Sequence, residues 1–441
     1  MGLFKKSIKT SGSSRIADFT VSDLSITDVW MTGSFRALAK PSMLWYNGST
    51  YSLYYKEKEY NNAVGIIKQT GNTLINYAVN TGTATPEPIN HPAPMLHINR
   101  TTGYIYVLQN KFHIDKIKVW KSDSPEDISS FSYVGEFGSG CSYLGHLEGD
   151  ESDIVILTRA GTISVDFSIS IISVNLDTLV YNQTQITDVE SNIADVRQYL
   201  LVPYQYGTSS RTYFGITNRN EEPTGTGYYK FSLMATEKGG AWQEFSNIAN
   251  TYSKNVVTGS LITDNELETN YQAIGTDSDR TTIISEGKMI VLNDDIYVVY
   301  VSDDDNDLWS VRKFTYGTSD TTDFLIPLTT IVRSPIWYGS VYMRYNGNNF
   351  VFTIWEHDGV GGYITKIYTC DLDFSNFTET GYDTQATSIS EPDQGTGCFY
   401  GMPTNLHEAV ESEESYLLIG KEEGTARGNF KYVITNEAFN S

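Results

Sequence analysis

An all-β fold, specifically a seven-bladed β-propeller, is predicted for this chain of 441 residues by three observations. Hairpin signals recur seven times, most of them starting about 50 to 60 residues apart, which is the spacing of blade-type repeats. Short alternating runs such as Tyr51-Ser52-Leu53-Tyr54-Tyr55 are separated by Asn, Gly and Asp, and helix-type periodicity is nearly absent. Tyrosine is very frequent, at 31 residues, and suits pleated, half-buried surfaces.

In chain order, residues 1–17 read as a mildly basic, Ser- and Thr-rich arm, and residues 18–441 as the propeller. The hairpins begin with Ser42 to Tyr46, a turn at Asn47-Gly48-Ser49, and Tyr51 to Lys56. Met95 to His113 is next, followed by Tyr143 to Arg159. Then come Tyr204 to Arg219, turning around Gly207-Thr208-Ser209, and Met289 to Ser302, turning at Asn293-Asp294-Asp295. Tyr342 to His357 turns at Asn346-Gly347-Asn348, and Asn405 to Lys421 turns near Ser412 to Ser415. Most are followed by a third alternating run: Val64 to Lys68, Lys116 to Trp120, Tyr228 to Leu233, Leu308 to Phe314, Tyr363 to Thr369 and Asn429 to Ile434. The one long gap, about residues 237–280, reads as an insertion. The last repeat ends after its third strand, so a strand from Ile16 to Ser22 or Ile26 to Thr32 is expected to complete it.

The formal net charge of −22 disfavours nucleic acid and anionic membranes, both of which need a basic footprint. No run approaches the roughly 20 apolar residues of a membrane span. Cys141, Cys370 and Cys398 are far apart and form no CxxC pair. The N-terminus lacks the apolar core of a secretory signal, so the expected setting is a virus particle, the extracellular space by another route, or else the cytoplasm. In the first setting the arm would bind other virion proteins.

The richest stretch is His91 to Arg159. The two strands of a hairpin are antiparallel, so the start of the first and the end of the second share one end. His91, His113, Tyr143 and Arg159 are therefore expected together. The ends of the second strands are Lys56, His113, Arg159, Arg219, Asp303, His357 and Lys421, largely basic or titratable, which suits an anion-binding mouth. Tyr204 and Arg219 repeat the layout and, with His357, are candidate substrate contacts. No metal or other cofactor is expected. Cys141 and His146 flank Tyr143 but are too few to hold zinc, and Asp303-Asp304-Asp305-Asn306-Asp307 lacks the spacing of a calcium loop.

The segment His91-Pro92-Ala93-Pro94, then Thr102 to Val107 and His113, resembles the BNR-4 propeller family. So do Ser124 to Phe131, Ser142-Tyr143 and Ile154 to Arg159. That family includes ulvan-lyase-type polysaccharide lyases, and the resemblance implies a catalytic cleft of His91, His113, Tyr143 and Arg159. Pro92 departs from the Asn that often follows the first histidine, and the family's export signal is missing.

Such a lyase removes the C5 proton of a uronate and expels the 4-oxygen. Arginine suits the carboxylate, because its guanidinium is a fixed fork that stays charged. A tyrosine beside a cation loses its proton more readily, and a histidine titrates near neutrality. His113 or Tyr143 is the expected base. The reading is thus a lyase acting on an acidic polysaccharide. The alternative is a tail or surface protein of a virus that binds a glycan or receptor without cutting it.

Overall fold

The computed structural model describes residues 17–20, 30–31, 43–55, 64–70, 73–79, 94–110, 115–162, 165–188, 196–220, 228–240, 242–256, 260–263, 266–267, 289–301, 309–328, 341–345, 348–357, 362–383, 389–390, 401–403, 414–423 and 426–435. Over these residues the chain is all-β, built from antiparallel meanders laid one after another.

Met43–Tyr46, Ser49–Tyr55, Val64–Thr70 and Thr73–Ala78 form the first meander. Its tight turn is Asn47-Gly48, with φ of +46° and +75°, the conformation that Asn-Gly tolerates and whose twist matches two paired strands. Next come Met95–Ile98, Ile105–Asn110, Asp115–Ser122 and the first part of the strand Phe131–Glu148. The second part of that strand opens another meander, with Asp153–Thr162, Val165–Asn175 and Tyr181–Gln185. Val196–Leu201, Arg211–Asn220, Tyr228–Glu237 and Glu244–Asn247 follow. Residues 244–255, inside the stretch expected as an insertion, thus extend a sheet, with Ser253–Asn255 beside Glu244–Asn247.

Two further meanders are Met289–Leu292, Asp295–Val301, Trp309–Thr315 and Thr321–Leu325, then Val341–Tyr345, Phe350–His357, Gly362–Cys370 and Thr378–Asp383. Gly401–Pro403, Glu414–Glu423 and Ala426–Thr435 form the last, whose fourth strand is Ala17–Thr20, with Ala17 opposite Val433. The turn expected at 412–415 lies mostly outside the described residues, as does Asp303 to Asp307.

The core lies between neighbouring meanders rather than within any one. Val107 packs with Leu44, Tyr51 and Leu53 on one side of its sheet. Tyr106 and Leu108 pack with Leu144, Ile154 and Ile156 on the other. Ile105–Asn110 is consequently buried at every position. A sheet covered on both faces needs apolar residues on both, so Ile105 to Leu108 reads as a continuous apolar run, closed by the buried polar Gln109 and Asn110. No helix among the described residues is long and apolar enough to cross a membrane.

Candidate functional site

The site is organised by the strand Phe131–Glu148, which serves two sheets. Over Phe131–Phe137 it pairs with Asp115–Ser122, and over Cys141–Glu148 with Asp153–Thr162. The changeover passes through Gly138 and Gly140, with φ of +75° and +63°. A Cβ on Gly140 would stand 3.1 Å from the Gly161 carbonyl oxygen, so both the turn and the close approach require glycine.

Three residues further on, Tyr143 has φ of +57°. The register steps from Ser142 opposite Arg159 to Leu144 opposite Thr158, so Tyr143 is the extra residue of a β-bulge. The other non-glycine residues with positive φ among the described residues lie in turns, bends or loops; Tyr143 lies inside a strand. An aromatic residue held there costs on the order of 1–3 kcal/mol, which the surroundings must offset. They do so by burying the ring, at 1% exposure, in a cluster with Leu147, Leu157, Ile169 and Ile171. The Arg159 guanidinium carbon lies 4.8 Å from the ring centre, itself at 2% exposure. That cation–π contact in a dry setting is worth roughly 2 kcal/mol. Thr158 donates its hydroxyl to the Ser142 carbonyl at 3.1 Å, which pins the bulge from the other strand.

Of the expected four, the structure therefore brings Tyr143 and Arg159 together, whereas His91 and His113 lie outside the described residues. Asn110, the last described residue before 111–114, was not singled out in the sequence. It donates its side-chain amide to the Cys141 carbonyl at 2.9 Å, joining two meanders close to Tyr143. The only signal for it was a polar residue closing an apolar run.

The expected pairing of Tyr204 with Arg219 is corrected by the register. Arg211–Asn220 pairs with Val196–Leu201, and Arg219 sits opposite Arg197. Tyr204 lies beyond the other end of that ladder, past Leu201 opposite Gly215, and instead runs parallel to Met289–Leu292. The cause is Pro203, which has no N–H to continue the ladder. Tyr204 is a core residue at 7% exposure.

His357 ends the strand Phe350–His357, opposite Tyr363. Beside it the buried Glu356 accepts a hydrogen bond from the Tyr368 hydroxyl and lies 3.7 Å from Lys366. Burial, then the Glu356 carboxylate, push the Tyr368 phenol up. That strand end therefore carries a carboxylate as well as the expected histidine.

Cys141 and His146 have separate partners. Burial pushes the Cys141 thiol up to about 11, and its Sγ donates to the Ser139 carbonyl. His146 Nε2 lies 2.9 Å from the Gly149 carbonyl, with its ring 5.4 Å from that of His97.

No protein-family model and no curated protein matches the sequence. Solved structures do. An ulvan lyase of polysaccharide lyase family PL25 superposes with TM-score 0.64 at 12% identity, over 93% of this chain and 95% of that one. The same type of lyase bound to -[GlcA(1-4)Rha3S]- gives TM-score 0.65 at 12% identity, with the same coverage. An α-L-arabinanase of Penicillium chrysogenum with arabinobiose gives 0.40 at 10% identity, over 79% of this chain and 94% of that one. What this chain shares with the ulvan lyase, along nearly its whole length, is the β-propeller type of fold.

Proposed function

We propose that this chain is a seven-bladed propeller that cleaves a uronic-acid-containing polysaccharide by β-elimination. The observation that carries the reading is the Tyr143–Arg159 pair. A strained bulge holds a phenol against a guanidinium, where the fold alone would favour a regular strand. Bulges and stored backbone strain concentrate at functional sites because they aim one side chain away from the regular pleat.

Two further observations support it. The meanders follow the repeat spacing of the sequence, and the first described strand completes the last sheet. The fold likeness is to a lyase seen with a glucuronate-containing fragment.

In this reading Arg159 binds the uronate carboxylate. A guanidinium is a planar fork of N–H donors that binds a carboxylate in pairs, and the Tyr143 ring holds this one in place. Charge moving onto the carboxylate as the C5 proton leaves is stabilised there. The C5–H electrons form the C4–C5 double bond, the C4–O4 bond breaks, and the leaving oxygen takes a proton. Tyr143, His91 and His113 are the groups proposed to accept and return that proton.

A second reading, a glycan-binding propeller that does not cleave, is favoured by the shielding of Tyr143 and Arg159 from solvent, at 1% and 2% exposure. Ultraviolet absorbance of unsaturated uronate ends separates the two. Incubation with a panel of acidic polysaccharides, ulvan included, is expected to raise it, and Tyr143→Phe to slow the rise by roughly 100- to 10,000-fold. No rise on any substrate would discard the lyase in favour of the binding module.

A further inference from the structure

We propose that Asn110 is the positioning residue for Tyr143. Its amide holds the backbone at Cys141 from which the Tyr143 bulge is built. The inference rests on the reading of Tyr143 as a reacting group. Asn110 is 2% exposed and ends the strand Ile105–Asn110. Its Nδ2 donates to the Cys141 carbonyl at 2.9 Å, in a bond buried at both ends. Among the described residues its Oδ1 has no partner, so this one bond orients the amide. The opposite orientation would set two oxygens against each other, which fixes Asn110 as a donor.

The bond falls where the strand changes from one partner to the other and its register is irregular. Gly138 and Gly140 precede Cys141 with positive φ, and the pairing with Asp115–Ser122 is irregular between Phe137 and Cys141. Glycine backbone resists displacement weakly. With the donor removed, the buried Cys141 carbonyl loses that charge-free tie to the neighbouring strand, and the softest response is a shift of residues 139–143. Such a shift moves the Tyr143 hydroxyl relative to Arg159 without unfolding either sheet. A misplacement near 1 Å costs catalysis about 100-fold.

The test compares wild type, Asn110→Leu (similar shape, no donor), Asn110→Ala (smaller, no donor), Tyr143→Phe and the Asn110→Leu/Tyr143→Phe double variant. Ulvan cleavage and backbone hydrogen exchange are measured on each. The expected result is a roughly 10- to 100-fold fall in kcat with KM within about twofold for either Asn110 variant. The double variant should be no slower than Tyr143→Phe alone, a non-additivity that general destabilisation does not produce. Exchange should quicken at residues 141–147 and stay unchanged at 169–174. Full kcat in both Asn110 variants, multiplying losses in the double variant, or unchanged exchange at 141–147 would overturn the proposal. If wild type cleaves no uronate polymer, the lyase reading fails, and the exchange comparison alone decides whether Asn110 positions the bulge. If Asn110→Leu does not fold, Asn110→Ala carries the comparison.

Discussion

Arg159 lies with its guanidinium carbon 4.8 Å from the centre of the Tyr143 ring, and Tyr143 is itself a strand residue with φ of +57°. The two residues are not cross-strand partners. Arg159 is opposite Ser142, and the bulge turns the next side chain back onto it. A regular ladder would have placed Tyr143 on the other face of the sheet. The contact therefore exists because of the bulge.

Arg159→Lys tests whether the fork and the flat stacking surface matter, or only the charge. Lysine keeps the charge and loses both. The expected loss in kcat/KM on a cleaved uronate polymer is about 100-fold, near 2.7 kcal/mol in the barrier. Tyr143→Phe should melt within a few degrees of wild type, because the buried ring is kept. A lysine variant with wild-type kcat/KM would remove Arg159 from the chemistry.

His97 and His146 are expected to make the protein sensitive to acid. His97 Nε2 lies 2.6 Å from the Glu151 carbonyl, and His146 Nε2 lies 2.9 Å from that of Gly149, on the same turn. Burial, then His146, lower His97 to about 3, and burial also lowers His146. Both are thus neutral when folded and take up protons near 6.5 when unfolded. The unfolded state binds more protons below that pH, so stability is full above about 6.5 and falls as pH drops toward 3. His97 is expected to contribute up to about 1.4 kcal/mol per pH unit in that window, and His146, lowered by burial, to act in the same direction. Urea midpoints at pH 7, 6 and 5 should fall in step, and His97→Gln should flatten the trend. Equal pH dependence in the variant would refute the assignment.

Gly145 is needed because the next meander comes too close. A Cβ there would lie 2.4 Å from Val202 Cγ2 and 3.2 Å from Leu200 Cδ1. Both neighbours belong to a buried cluster, so Gly145→Ala should destabilise by roughly 1–3 kcal/mol. Adding Val202→Ala makes room. The double variant should then be more stable than the sum of the two single losses, as read by denaturant unfolding. Simple additivity would show that the contact is relieved elsewhere.

Ala17–Thr20 completes the sheet of Ala426–Thr435. Removing residues 17–20 leaves the last long strand with an open edge. The truncated protein is expected to melt lower and to run as larger species in size-exclusion chromatography. An unchanged melting curve and a monodisperse elution would mean that the pairing contributes nothing.

Much of the fold was legible because turns and alternation are local chemistry. Asn47-Gly48 and Asn293-Asp294 mark tight turns wherever the rest of the chain goes, and the paired runs around them form the expected ladders. Tyr143 and Arg159 were legible as neighbours for the same reason, since one short hairpin holds both. Non-local pairing was hidden. Pro203 ends one ladder and frees Tyr204 to pair with another sheet, which separates it from Arg219. Phe131–Glu148 is one strand because two different partners supply its hydrogen bonds, neither adjacent to it throughout. The positive φ at Tyr143 and the role of Asn110 follow from that shared strand. By itself the sequence determined where the chain turns and which short runs extend. Tertiary structure alone decided which strand satisfies each backbone donor and acceptor, and so where the bulge falls and what it points at. Backbone hydrogen bonds carry no side-chain label, so partners distant in sequence are selected only when the sheets pack.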